Sequence, residues 1–253
     1  MQDRAKSIVA ETEARQGRRA GPAVYILLGV VLVILLGLGT WQVERLQWKE
    51  GLIASIEARR TAPPITIEEA IARLGRGEPI DYTAIRVTGR FDHSKERHFL
   101  ATRAGKPGYH VYTPLILADG GTVFVNRGFV PDNLKEPDTR LAGQVEGEVG
   151  IVGLARERLA EKPSMMVPEN EPQKNLFFWK DLDAMASSTG IAADVLLPFF
   201  IDADAAPNPG GYPEGGVTQI DLPNNHLSYA ATWYGLAAVL VVVSFLALRR
   251  RGK

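Results

Sequence analysis

Four imidazoles are the side chains of this 253-residue chain best suited to hold a transition metal: His93, His98, His110 and His226. There is no cysteine, which excludes disulfides, thiolate zinc sites, iron–sulfur clusters and a cysteine nucleophile. His93 and His98 are five residues apart, so one strand would turn them to opposite faces. With His110 they read as surface or turn residues rather than copper ligands. His226 has a different setting, Pro223-Asn224-Asn225-His226-Leu227-Ser228-Tyr229-Ala230-Ala231-Thr232-Trp233-Tyr234-Gly235. Proline followed by asparagine is a helix start, with Asn224 or Asn225 as N-cap and His226 in the first turn. His226, Ala230, Trp233 and Ala237 then share one helical face. Small residues beside a ring leave room for a flat apolar ligand or for a close helix neighbour. An imidazole placed there can ligate heme iron. The alternative is a histidine hydrogen-bonded to lipid headgroups within an aromatic belt of Tyr229, Trp233 and Tyr234.

Other candidates cluster near the first apolar stretch. Arg45 and Lys49 lie one helical turn apart and suit lipid phosphate or heme propionates, and Trp41 and Gln42 fall at the same depth as the start of the second stretch. Arg127 alternates with Val125 and Phe129, so it is expected to point inward against a carboxylate partner. No G-x-S-x-G, Walker loop, G-x-G-x-x-G or H-E-x-x-H is present. No nucleophile and base stand out as a pair, so no catalytic residue is assigned.

These candidates must be carried by membrane elements. Residues 23–40 and 230–248 hold no charge and are long enough to cross a bilayer core. Gly37-Leu38-Gly39 has the small-x-small form of a cleavage site, but the apolar run exceeds a signal core and the helical pattern continues through Trp41-Gln42-Val43-Glu44-Arg45, which favours an uncleaved anchor. Lys+Arg and Asp+Glu are both 29, so the formal net charge is +0, which argues against a nucleic-acid partner. The charge is unevenly spread. The two ends hold nine bases and three acids, +6 together, leaving −6 between them. Positive flanks stay in the cytoplasm. The expected organisation is a cytoplasmic tail 1–22, a transmembrane helix 23–43, a periplasmic domain 44–225, a second transmembrane helix 226–248 and a cytoplasmic tail 249–253. A bacterial inner membrane is the expected location, since three acids in the tail do not suit a mitochondrial transit peptide.

The outer domain reads as a β-rich α+β fold. Trp41, Trp48, Leu52 and Ile56 continue one helix face beyond the first span until Pro63-Pro64 stops it. Thr66-Ile67-Glu68-Glu69 is a capping box for a short helix closed by Gly75. Stretches 83–91, 97–103, 109–117, 122–130, 145–154 and 195–203 have strand composition, and Asp119-Gly120-Gly121 is a hairpin turn. Asp181–Ser188 reads as a helix, and 160–174 and 205–216 as loops.

Four motifs occur in order between the two spans: Gly39-Thr40-Trp41-Gln42-x-x-Arg45-x-x-x-Lys49, Gly108-Tyr109-His110-Val111-Tyr112-Thr113-Pro114-Leu115, Val125-Asn126-Arg127-Gly128-Phe129-Val130-Pro131, and Asn224-Asn225-His226-Leu227-Ser228-Tyr229-Ala230 with Thr232-Trp233-Tyr234-Gly235. Together they resemble the Surf-one (surfeit locus protein 1) family of cytochrome c oxidase assembly factors, over residues 23–250. The resemblance implies a non-enzymatic role in maturing the heme a-containing subunit I of a heme–copper oxidase. It implies heme a as ligand and His226 as axial iron ligand, and Trp41, Gln42, Arg45 and Arg127 match motif positions of the family without a role fixed by it. Trp41, Gln42, Arg45 and Trp233 are the cofactor-binding candidates beside His226. The implied partners are oxidase subunit I, heme a synthase and the lipid bilayer. Two alternatives stay open: a heme-free scaffold docking on a subunit I intermediate, and a membrane-anchored periplasmic enzyme or sensor.

Overall fold

The computed structural model describes residues 21–218 and 222–251, so most of the expected tail 1–22 and the last two residues of the tail 249–253 lie outside the described residues. Two units are resolved, one from residues 1–53 with 221–253 and one from residues 54–220.

The first unit is built on two helices, α1 (Pro22–Thr61) and α4 (His226–Arg251). Both are long and apolar enough to cross a membrane, and only 6% of each apolar stretch is buried. Helices apolar on every side and so little covered by protein suit a lipid surrounding. At 1.5 Å per residue, α1 is about 60 Å long, roughly twice a hydrocarbon core. It continues well past residue 43, as the Trp41–Ile56 periodicity predicts. It ends where Thr61 Oγ1 donates to Glu57 O (2.7 Å) and Ala62 N to Ala58 O (3.1 Å), just before Pro63-Pro64.

The second unit adds β1 (Ile65–Thr66), α2 (Ile67–Gly75), β2 (Ala84–Phe91), β3 (Arg97–Arg103), β4 (Lys106–Ile116), β5 (Thr122–Pro131), β6 (Glu148–Glu157), α3 (Leu182–Thr189) and β7 (Leu196–Ala203). Half of the predicted capping box forms: the Thr66 side chain accepts from Glu69 N, whereas the Glu69 carboxylate pairs with Arg73. The seven strands run in the order β1-β2-β6-β7-β5-β4-β3, and an extra pairing of β2 with β4 closes β2, β6, β7, β5 and β4 into a barrel. Pairing is parallel for β1–β2 and β5–β7 and antiparallel elsewhere. The closure needs Gly89, because a Cβ there would lie 2.5 Å from Ile116 O.

Alternation along the strands separates two cores. Ile85, Val87, Leu115, Val123, Val125, Ala155, Phe199 and Ile201 come from all five barrel strands and fill its inside, with Ile67 and Ala70 of α2 against them. Tyr112, Phe124 and Phe200 face the other way and pack under Leu182, Met185 and Ala186 of α3. Tyr112 pairs with Asn126 and His110 with Phe129, so β5 carries one extra residue, a bulge at Arg127-Gly128. The expected Val125–Arg127–Phe129 alternation therefore breaks. Val125 stays inside and Arg127 lies over the Phe91 ring, whereas Phe129 contacts His110.

Candidate functional site

Asn225 precedes α4 and its carbonyl accepts from Tyr229 N (3.2 Å), which is the N-cap position. His226 thus stands in the first turn, as its sequence context predicts. Its Nδ1 lies 2.7 Å from Gln42 Oε1 on α1. An amide oxygen only accepts, so Nδ1 carries the proton and neutral imidazole keeps the Nε2 lone pair. Among the described residues Nε2 has no hydrogen-bond partner. Metal-ligating histidines commonly have one ring nitrogen anchored in this way.

The two helices meet through a few side chains near His226. Gly39 is buried against the Tyr234 ring, where a Cβ would meet Cε1 at 2.8 Å. Tyr234 OH donates to Thr40 Oγ1 (3.1 Å), whose own hydroxyl donates to Leu36 O (3.0 Å). Gln42 is 9% exposed, and Ala230 and Ala237 are 3% exposed. Gly39 is the small residue that lies against the neighbouring helix, under the Tyr234 ring.

Not every candidate joins His226. Gln42 does so directly, and Trp233 shares the His226–Ala230–Ala237 face and is partly buried. Trp41 is 52% exposed and has no polar or ring contact among the described residues. Arg45 stacks over the Trp48 ring at 3.8 Å. Lys49 is partly buried. Among the described residues no three His, Cys, Asp or Glu side chains converge on one point.

Of the other histidines, His93 lies in a 3-10 turn as expected, whereas His98 and His110 lie in strands. His98, expected at a surface or turn, is 2% exposed; its Nε2 donates to Glu96 Oε1 (2.8 Å) and its Nδ1 accepts from Asn175 (3.3 Å). His93 donates from Nε2 to Val145 O (2.9 Å) and accepts at Nδ1 from Arg127 (3.4 Å), and burial lowers its pKa. His110 is clamped between the Phe99 and Phe129 rings, and burial pulls it down to about 4.

Arg127 also departs from expectation. It has no carboxylate partner among the described residues. Its guanidinium donates to Gly143 O, Asn208 Oδ1 (3.3 Å) and His93 Nδ1. The peptide oxygen and amide are supplied by loops 16 and 81 residues away. The buried ion pair is instead Glu96 with Arg140, each under 10% exposed. Burial pushes the Glu96 carboxyl up, but the His98 hydrogen bond and the Arg140 charge outweigh it, and the net shift is down. A second buried carboxylate, Asp202, takes hydrogen bonds from Asn126 (2.9 Å) and Thr218 (3.0 Å) and sits 3.8 Å from Lys180. Sequence reasoning missed both networks. Their only advance signal is a charge inside a strand pattern, as at Glu96 before β3 and Asp202 in β7.

The sequence model of the SURF1 family matches residues 29–238, the interval that holds most of α1, the barrel and the first half of α4. The chain is 41% identical to Surfeit locus protein 1 of Mus musculus, over 97% of this chain and 82% of that protein. It is 38% identical to Surfeit locus protein 1 of Homo sapiens (93% and 80%) and 40% identical to a SURF1-like protein of Monosiga brevicollis (94% and 92%). With its two apolar helices, its barrel and this match along most of its length, the chain belongs to the SURF1 family.

Proposed function

We propose that this chain is an assembly factor for heme–copper cytochrome c oxidase that binds heme a and assists its delivery to, or retention in, subunit I. In this reading both termini are cytoplasmic in a bacterial inner membrane and the barrel unit is periplasmic. Heme a is cargo, and the protein's work is to hold and shield it rather than to change its bonds. The reading is carried by the Gln42–His226 hydrogen bond, which leaves Nε2 as a free donor to iron at the end of the second apolar helix. A single histidine ligand releases its cargo more readily than two would. The macrocycle is assigned to the bare Nε2 edge of His226. Arg45 and Lys49 are the cations available for the propionates, and Arg45 would exchange its Trp48 stack for that contact. Oxidase subunit I is the acceptor in this scheme, and heme a synthase is the natural donor.

The test is the optical spectrum of full-length protein purified from cells that make heme a. Wild type should show a Soret band that His226→Ala loses, with the protein still in the membrane fraction. An undiminished band in the variant would overturn the ligand assignment. A second reading, a heme-free scaffold on subunit I, is favoured by the Tyr234 ring, which fills the space at Gly39. A wild-type protein without a Soret band that still co-purifies with subunit I would decide for it.

A further inference from the structure

Arg127 is 2% exposed and all its contacts are neutral: a peptide oxygen, an asparagine amide, an imidazole and the Phe91 face. The nearest buried charges do not neutralise it. Glu96 is committed to Arg140 and His98, so Arg127, Arg140 and Glu96 together leave one positive charge in the interior. A buried guanidinium without an anion is strongly unfavourable, and natural interiors supply one. Arg127 lines a cavity of about 290 Å³ whose walls are mostly apolar, with Phe91, Val149, Ile151 and Ala203 among them. The carboxylate on that wall, Asp204, belongs to an exposed residue, takes Ala206 N–H at 3.0 Å and makes no ion pair with Arg127.

We propose that this cavity is a binding site for an apolar carboxylate, a single –CO₂⁻ on an aliphatic or aromatic body. The carboxylate neutralises Arg127, whose five N–H donors are only partly used, and the apolar body covers the Phe91, Val149 and Ile151 side. A guanidinium matches the two oxygens of a carboxylate. Phosphate, more heavily charged and hydrated, would face walls that offer it one cation. The site lies wholly in the Ala54–Ile220 unit and is independent of the heme reading at His226.

The test uses the full-length protein in detergent and calorimetric titration with benzoate, benzyl alcohol and inorganic phosphate. Benzoate should bind about tenfold or more tightly than its neutral analogue, the usual gain from a charge-assisted hydrogen bond. Arg127→Gln should erase that preference. Ala206→Trp adds bulk from an exposed wall residue without touching Arg127, and should abolish benzoate binding while the melting temperature holds. If Arg127→Gln fails to fold, the Ala206→Trp variant and the benzoate-to-benzyl alcohol ratio decide the matter. The proposal is overturned if benzoate binds no better than benzyl alcohol, if benzoate binding survives Ala206→Trp, or if inorganic phosphate binds as tightly as benzoate.

Discussion

In the barrel unit, His98 uses both ring nitrogens, one on Glu96 and one on Asn175, and His93 uses both on Val145 and Arg127. In the helix pair, His226 uses one, on Gln42, and keeps the other. All these rings are at least partly buried, and all are oriented by a neighbour. What separates them is the spare lone pair. A histidine with two satisfied nitrogens holds its surroundings together, and breaking it costs stability. In the proposed reading, a histidine with one satisfied nitrogen is aimed, and breaking its partner costs binding. His110 is a third kind, with its ring between two phenylalanines and a fold that keeps it uncharged.

The largest effect should come from the saturated network. Arg140→Ala leaves the Glu96 carboxylate buried with only His98 as partner, and a buried pair broken on one side costs about 3–5 kcal/mol. Urea denaturation at pH 7 measures it. A loss under about 1 kcal/mol would remove the reason for calling this network structural.

Next comes the pH dependence of the clamped ring. The folded pKa of His110 is about 4 against an ordinary 6.5, so folding favours the neutral form. Its contribution is therefore complete above pH 6.5, is lost as pH falls toward 4, and is constant below that. The full swing is about 3 kcal/mol. Carboxylates titrate nearby in pH, so the readout is the wild-type minus His110→Phe difference in urea midpoint at pH 7, 5.5 and 4.5. A flat difference would show that the ring is solvated.

The smallest effect on the fold and the most specific effect on binding is expected at the aimed histidine. Gln42→Leu keeps bulk but removes the Nδ1 acceptor. Loss of such an orienting partner typically costs about 10–100-fold in metal affinity. Heme a per protein should fall accordingly, with the barrel's melting temperature unchanged. Unaltered occupancy would mean that Gln42 packs the seam and orients nothing.

Local chemistry was readable in advance wherever it depends on neighbours in the chain. Asp119-Gly120-Gly121 forms the predicted hairpin, with Leu117 N donating to Gly121 O and Gly121 N to the Asp119 side chain. Asp181 caps α3 through Ala184 N, and Pro63-Pro64 follows the end of α1. The stretch 122–130 became Thr122–Pro131, whereas 145–154 shifted to Glu148–Glu157 because Gly147 and the residues before it run as loop. What could not be read is pairing at a distance. Nothing local says that β5 runs parallel to β7, or that β2 bends back to meet β4 and shut the barrel. The error at Arg127 has the same origin: its oxygen partners come from Gly143 and Asn208, while the predicted carboxylate was only a general rule about buried charge. At the candidate site the sequence marked His226 and Gln42 separately. Their contact, and the failure of Trp41 to join them, required the helix pair to be seen side by side.

Gly39 touches neither imidazole nor amide, yet it sets the angular phase of the helix that carries Gln42. The two residues are three apart, neighbours on one helix face about 4.5 Å apart along the axis. The Tyr234 ring fills the notch at Gly39, and on the same face of α1 Gln42 meets His226. A bulky side chain in the notch would roll the helix, and the glutamine would swing out of step with its histidine. The residue with no side chain is thus the keyway beside the one contact that aims an imidazole.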